Sequence, residues 1–270
     1  MDEIVARKRV EVAKAKQTTP LPVLHERAAN LPRPRNFFAA LVDARDRART
    51  RVIAEVKRRS PSAGVIREQF DPVDIAKQYE KAGAAAISCL TDEPHFGGHL
   101  GYIRQIRRIV GLPVLRKDFI VDEYQIWESR AAHADAVLLI AEVLTEGALL
   151  DLMILAQKLR MTALVEVHDV ESLLKVKRHI GFPHAGYSLL GINNRDLRTM
   201  TTDLSHTFRM IDMVEDRSVV VSESGITTPT DLAKLRYHGV HIALVGEHLM
   251  KQRDPGHALR QLLGMSAAGD

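Results

Sequence analysis

Charged side chains inside otherwise apolar segments are the first residues of this sequence that could do chemistry. Val52-Ile53-Ala54-Glu55-Val56-Lys57 carries a carboxylate and an ammonium two positions apart. In an extended chain that spacing puts both on one side. Leu115-Arg116-Lys117-Asp118 ends an apolar run in charge, and Ala163-Leu164-Val165-Glu166-Val167-His168 sets Glu166 between apolar neighbours. Gly191-Ile192-Asn193-Asn194-Arg195-Asp196 and Ser222-Glu223-Ser224-Gly225 close two further runs with amides and acids. One charged residue in a strand is ordinarily a rim residue. Glu55, Lys57, Lys117, Glu166, Asn193 and Glu223 together are harder to dismiss, because five segments carry them to matching depth. Desolvating so many polar groups is costly unless they pair with one another or with a ligand. A mutually paired structural network is the bland reading; convergence on a site holding both acids and bases is the preferred one.

Glycines add an anion to that site. Ser224-Gly225 and Gly246-Glu247 each follow an apolar run, where backbone N–H groups can bind phosphate. Ser60-Pro61-Ser62-Ala63-Gly64, behind the basic Lys57-Arg58-Arg59, reads either as a mobile loop or as a solvated basic one.

Eight elements must position these groups. Short runs rich in Val, Ile, Leu and Ala occupy residues 52–57, 84–90, 112–117, 135–141, 162–168, 188–193, 218–222 and 241–246. They are nearly continuous, the pattern of strands covered on both faces in a parallel sheet. Helical periodicity fills the intervals: Val73, Ile75, Ala76 and Tyr79 mark one face, and Asp74, Lys77 and Glu80 the other. Leu149, Leu152, Met153 and Ala156 repeat the pattern. Asp71-Pro72, Thr228-Pro229 and Asp254-Pro255 signal helix starts, and Gly83, Gly111, Gly181 and Gly239 signal stops. Strands recur about every 27 residues, as strand–loop–helix–turn units require. The expected fold is α/β, a (β/α)8 TIM barrel, without the glycine fingerprint of a dinucleotide-binding sheet or a P-loop. Residues 1–50 precede the first strand. They are expected as a helical extension, with helices at 2–16 and 36–48 separated by the proline-containing stretch 19–34. Residues 1–270 then make a single domain.

Composition narrows the class. The chain has 270 residues, 46% hydrophobic and 27% charged, which excludes a largely disordered chain. Its single cysteine, Cys89, excludes a disulfide scaffold and reads as a core residue. A formal charge of +4 is spread along the chain, and Arg45, Arg47, Arg49 and Arg51 alternate beside Asp43 and Asp46, so no nucleic-acid partner is expected. The start lacks the apolar core of a signal peptide, and no apolar run is long enough to cross a bilayer. A cytoplasmic protein without a membrane partner is expected. His95 and His99 lie in Pro94-His95-Phe96-Gly97-Gly98-His99, which does not read as a regular helix, and no third ligand is apparent; no metal is expected. Trp127 and Phe119 fit a core or a pocket equally.

The strand-end motifs resemble those of the indole-3-glycerol phosphate synthase family. Ile53-Ala54-Glu55-Val56-Lys57-Arg58-Arg59-Ser60-Pro61-Ser62 resembles its opening signature. The likeness continues through Leu115-Arg116-Lys117-Asp118-Phe119-Ile120, the Glu166 strand, Asn193-Asn194-Arg195-Asp196-Leu197 and Ser222-Glu223-Ser224-Gly225-Ile226. It spans nearly the whole chain, including the extension, which in the family lies over the barrel mouth. The resemblance implies closure of an indole ring on a phosphorylated small-molecule substrate, with loss of carbon dioxide and water and no cofactor. It implies Lys117 as general acid and Glu166 as leading base, with Lys57 and Glu55 as further acid/base or electrostatic partners. Asn193 would bond the substrate or orient Glu55, Glu223 would hold the lysines, and Ser224 matches the family's active-site serine. Phosphate would lie against Lys57, Gly225 and the Gly246-Glu247 turn, with the backbone rather than the Glu247 side chain in contact. Phe96, Phe119 and Leu138 match the walls of the aromatic pocket, and Ser60 and Arg195 complete the substrate-binding set. The expected state is a monomer, with a dimer as the alternative. Competing readings are another phosphate-binding barrel, such as the isomerase preceding this step, and a non-catalytic binding module.

Overall fold

Strand alternation decides how this chain closes. The computed structural model describes residues 1–42, 49–196 and 201–265. Eight parallel strands follow in order: β1 (Arg51–Val56), β2 (Ala86–Leu90), β3 (Val114–Lys117), β4 (Ala136–Ile140), β5 (Thr162–Val167), β6 (Ser188–Asn193), β7 (Val220–Glu223) and β8 (Ile242–Val245). Each pairs with its sequence neighbours, and β1 pairs with β8, so the sheet is a closed barrel. Val52, Ala54 and Val56 of β1 point outward and pack with helix residues such as Ile75 and Tyr79. Ile53, Ala86, Leu115, Leu164, Leu189, Val221 and Ile242 point inward and fill the barrel. This two-sided burial explains why the strands read as unbroken apolar runs.

The proline signals mark true helix starts. Asp71 accepts hydrogen bonds from the Val73 and Asp74 N–H groups, at 2.9 and 3.1 Å, opening the helix Pro72–Lys81. Thr228 and Asp231 form a reciprocal cap on Pro229–Tyr237, and Asp254 caps Pro255–Leu262. Gly83, Gly181 and Gly239 adopt positive φ as expected, but Gly111 does not. The preceding helix ends on an extended Val110, and the Gly111 N–H donates to Glu80 at 2.5 Å.

The extension departs from expectation in two places. It contains three helices: α1 (Asp2–Thr18), α2 (Leu21–Ala29) and α3 (Phe37–Leu41). The stretch 19–34 is therefore largely helical. Pro20 and Pro22 fall at the N-cap and first turn of α2, where a missing N–H costs nothing, and Pro32 and Pro34 follow the helix. Helix α3 is shorter than the expected 36–48, and residues 43–48, including Arg45 and Arg47, lie outside the described residues. Strand boundaries also tighten. Residues 217–219 form a 3-10 turn, and the seventh strand starts at Val220 and ends on Glu223.

The extension does not lie over the barrel mouth alone, as the resemblance implied: α1 and α3 meet opposite ends of the barrel. Phe37 and Leu41 of α3 pack on Ile53, Ala86, Leu115 and Ile242, closing the end where the strands begin. Helix α1 reaches the other end, where Met1 and Ile4 line the central cavity. It is held there by Lys8, whose Nζ lies 3.0 Å from both Asp92 Oδ2 and Asp118 Oδ1. Tyr124 adds hydroxyl bonds to the carbonyls of Ala15 and Thr19, at 3.1 and 2.9 Å.

Phe37 is fully buried. We expect Phe37→Ala to destabilise the protein by about 3–5 kcal/mol, the cost of a large core cavity. Urea unfolding checks this, and an unchanged midpoint would show that the lower end of the barrel is not plugged by α3.

Candidate active site

Lys117 closes β3 and points into the barrel, because Leu115 two residues earlier also points inward. Its Nζ lies 2.5 Å from Glu166 Oε2 of β5 and 3.1 Å from Glu223 Oε2 of β7. Burial disfavours the ammonium, yet Glu166, Glu223 and Glu55 outweigh that penalty and raise the lysine above its usual range. The carboxylates win. Lys117 is held charged.

The two carboxylates differ. Burial would raise Glu166, but Lys117, His168 and the Asn193 amide hold it down to about 2. Glu223, buried and facing Glu166, is pushed up to about 8 despite Lys117. Two like charges sharing one cation separate in this way. Glu166 is the ionised partner.

Glu55 and Lys57 lie on one side of the β1 end, as their spacing requires, with Lys57 Nζ 2.7 Å from Glu55 Oε1. Two glycines make room for the acids. A side chain at Gly246 would overlap the Glu55 carboxylate, and one at Gly191 would overlap that of Glu223. Gly246 thus has a packing role that the sequence did not reveal.

Asn193 ends β6 and donates to Glu166 Oε1 at 3.2 Å, while its own oxygen accepts from the Arg195 N–H at 3.1 Å. Within the chain it orients Glu166 rather than Glu55, the protein partner that the resemblance offered beside the substrate, because β6 and β5 are neighbours in the barrel. Glu223 contacts Lys117 alone of the two lysines, since Lys57 is taken by Glu55.

Each remaining candidate residue also borders the cavity, which has a volume of about 480 Å³. Phe96 and Phe119 face one another with ring centres 6.2 Å apart, and Leu138 lies on the floor. Phe96 ends a one-turn helix, Glu93–Phe96, capped by Asp92 at a place where no regular helix was expected. On the opposite side Ser224 and Gly225 both take positive φ, 68° and 79°, in a tight turn after β7. Asn194 ties that turn down by donating to the Glu223 and Ser224 carbonyls at 2.9 and 3.1 Å.

The segment after β1 is a small hairpin, with Arg59–Ser60 paired to Gly64–Val65. Ser60 is buried and accepts from the Ala63 N–H at 3.1 Å. Arg195 spans this hairpin and the one-turn helix Glu247–Met250 that follows β8, donating to Ser62 at 2.5 Å and to Glu247 Oε2 at 2.8 Å. The Glu247 side chain also accepts from Lys251 at 2.7 Å. It is occupied by two cations.

His168, Asp92, Asp118, Lys8 and Lys251 enter the site or its supports without having been singled out. Asp118 is held down to about 2, because Arg116 and Lys8 outweigh its burial. Arg116, on the outer face of β3, also pairs with Glu128 at 2.8 Å. The signal for Asp118 was present in Arg116-Lys117-Asp118, but its partner Lys8 lies too far away in sequence to be paired by spacing. His168 stood at the end of the Glu166 motif and carried no second signal.

A closed (β/α)8 barrel with acids, ammonium groups and amides converging at the carboxyl ends of its strands defines a barrel enzyme built for proton transfer. A family model described as indole-3-glycerol phosphate synthase matches residues 1–262. A protein of that name from Rhodopirellula baltica is 47% identical, covering 97% of this chain and 98% of its own. One from Azoarcus sp. is 44% identical, over 98% of both chains. The chain belongs to the indole-3-glycerol phosphate synthase family. Among solved structures, 3-hexulose-6-phosphate synthase from Salmonella typhimurium matches 79% of this chain and 97% of its own, with a TM-score of 0.62 at 14% identity. A thiamine phosphate pyrophosphorylase from Pyrococcus furiosus matches 80% and 95%, with a TM-score of 0.55 at 17% identity. These two agree on the barrel alone.

The glycine hollows yield a test. Gly191→Ala should force the Glu223 carboxylate away from Lys117 and lower kcat with little change in KM. Steady-state kinetics, with circular dichroism to confirm folding, will show it. Wild-type kcat in a folded variant would remove the packing argument.

Proposed function

We propose that this chain converts 1-(2-carboxyphenylamino)-1-deoxyribulose 5-phosphate into indole-3-glycerol phosphate, releasing carbon dioxide and water, as a carboxy-lyase of tryptophan biosynthesis. The observation that carries the site reading is the Lys117 ammonium set between Glu166 and Glu223 on the cavity floor. Around it the cavity divides by polarity. Phe96, Phe119 and Leu138 suit the aromatic ring, and Ser224, Gly225 and the Gly246-Glu247 turn suit the phosphate. Arg195, Lys57 and Lys251 supply positive charge on the anionic side.

Ring closure joins an aromatic carbon to the ketone carbon, and the ketone oxygen gains negative charge. Lys117 gives that oxygen a proton as the bond forms. A developing alkoxide is basic enough to take it even from an ammonium held firmly by its neighbours. The aromatic carboxylate then leaves as carbon dioxide, and its bonding electrons restore the ring. Dehydration removes a proton from carbon and protonates the new hydroxyl, which departs as water. Glu166, ionised and oriented by Asn193, is the base. Lys57, paired with Glu55, is the second cation available to the hydroxyl. The substrate's own amino group supplies the electron push, so this reading invokes no metal or organic cofactor.

Within this reading the whole chain acts as one domain with residues 1–50 as its extension, as a monomer in the cytoplasm. The single hydrophobic barrel supports the first point. No helix among the described residues is long and apolar enough to cross a membrane.

Mixing the purified protein with the carboxyphenylamino substrate and following indole absorbance tests the activity directly. Folded protein without product would sink the proposal. Lys117→Ala should reduce turnover by about 10²–10⁴-fold, the range for a lost proton donor, while a phosphate analogue still binds by calorimetry. Retained turnover would refute the general-acid role. Gly225 has φ of 79°, and a Cβ there would sit 2.7 Å from Thr202 Cγ2. Gly225→Val should therefore raise KM more than it lowers kcat, and an unchanged KM would count against a phosphate at that turn.

A further inference from the structure

His168 follows Glu166 by two positions and turns to the same side of β5, where it lines the cavity. Its Nε2 faces Glu166 Oε1 at 3.2 Å, outside hydrogen-bond geometry. Its other side is gripped twice by Glu142, which reaches across from the turn after β4. The His168 backbone N–H donates to Glu142 Oε1 at 2.7 Å, and the ring Nδ1 lies 3.2 Å from Glu142 Oε2. One carboxylate thus fixes both the backbone and the ring of the residue that abuts the other. His206 adds a third hold, with Nε2 2.9 Å from the His168 carbonyl. That much restraint is more than a bystander imidazole needs.

We infer that His168, anchored by Glu142, is a positioning residue that fixes the Glu166 carboxylate and sets the pH above which it works as a base. The inference rests on the reading of Glu166 as the base. Glu166 Oε2 belongs to Lys117, so Oε1 is the atom left for a substrate proton, shared between the Asn193 amide and His168. When the ring carries its proton, Glu166 has cations on both oxygens and is a weak base. When the ring is neutral, Oε1 faces only the amide and a neutral nitrogen, and its basicity recovers.

The groups facing the ring decide where this happens. Glu142 comes from the turn after β4, Glu166 from β5 and Glu223 from β7. Asp169 opens the next helix, and His206 belongs to the helix Ser205–Ile211. Burial opposes the imidazolium, but Glu142 and Glu166 outweigh it and raise the histidine above its ordinary value. A raised histidine keeps its charge at low pH and loses it as pH climbs through the folded value. The rate of chemistry should therefore rise with pH along a limb centred above the ordinary imidazole value.

Single-turnover rates against pH, with steady-state kcat and KM followed in parallel, test this in the whole chain. His168→Gln should erase the limb and lower the plateau by roughly tenfold, in the range for losing a group that orients a reactive one, with KM little changed. Glu142→Gln should keep the limb but move it to lower pH, since the anion that raises the ring is gone. Proton titration of His168 by NMR in wild-type protein should give the midpoint of the kinetic limb. A limb unchanged in His168→Gln, unmoved in Glu142→Gln, or unmatched by the NMR midpoint would each overturn the inference. Glu166→Gln separates the two failures. Full turnover in that variant would overturn the base assignment itself, whereas its loss beside an unaltered His168→Gln profile would overturn only the role of the histidine.

Discussion

The side chains at the mouth of this barrel are arranged around one largely buried ammonium. Lys117 lies where most of its ordinary solvation is lost, and an isolated charge there would be costly. Glu166 and Glu223 offset that cost from two other strands, and Glu55 adds a third negative charge from further off. The arrangement is asymmetric: two close acids for one base leaves one acid too many. Glu166 takes the charge at a distance of 2.5 Å, and Glu223, at 3.1 Å, is pushed toward its neutral form. A cation, an anion and a protonatable acid therefore sit within one layer of side chains. No single residue type supplies that combination; the closure of the sheet does.

The hollows that permit this layer are glycines. Interior positions of a barrel are normally filled by branched apolar residues, as Leu164, Leu189 and Val221 fill the layer below. Gly191 and Gly246 interrupt that filling one step higher, and the vacated space holds the carboxylates of Glu223 and Glu55. Chemistry and packing are thereby linked across strands: each acid stands on one strand and its space is provided by the strand before it around the barrel. The same logic explains the turn after β7. Ser224 accepts positive φ, unusual for a residue with a side chain, and Asn194 holds the strained turn through two carbonyls.

The sequence disclosed the parts governed by period and local capping. Unbroken apolar runs separated by capped helices required a two-layered parallel barrel, and two-residue spacing placed Glu55 beside Lys57. Interactions that depend on which strands are neighbours were only partly legible. Asn193 could be assigned to the site from its position, but its partner Glu166 follows from β5 and β6 being adjacent. Helix α2 was hidden because prolines read as breakers, although at a first turn they are permissive. Helices also ended where no glycine announced it. His133 and Arg160 take the left-handed conformation after the helices Glu123–Ala131 and Glu146–Lys158. Nothing local distinguishes them from ordinary helical residues.

The extension is joined to the site by the same alternation that built it. Lys117 points inward, so its neighbours Arg116 and Asp118 take the other side of the strand end. There Asp118 gathers Arg116, Thr91 and the incoming Lys8. Helix α1 is thus anchored one residue away from the central ammonium, through a carboxylate that stays ionised far below neutral pH. Removing Lys8 would leave Asp92 and Asp118 with less compensation at the ends of two strands, and the strain would fall on the backbone that aims Lys117. A segment outside the barrel repeat can therefore govern the geometry inside it without touching substrate. The clamp also gives a reason for burying Lys8: a surface ion pair would be screened and loosely held, whereas a buried one fixes the helix to a single place.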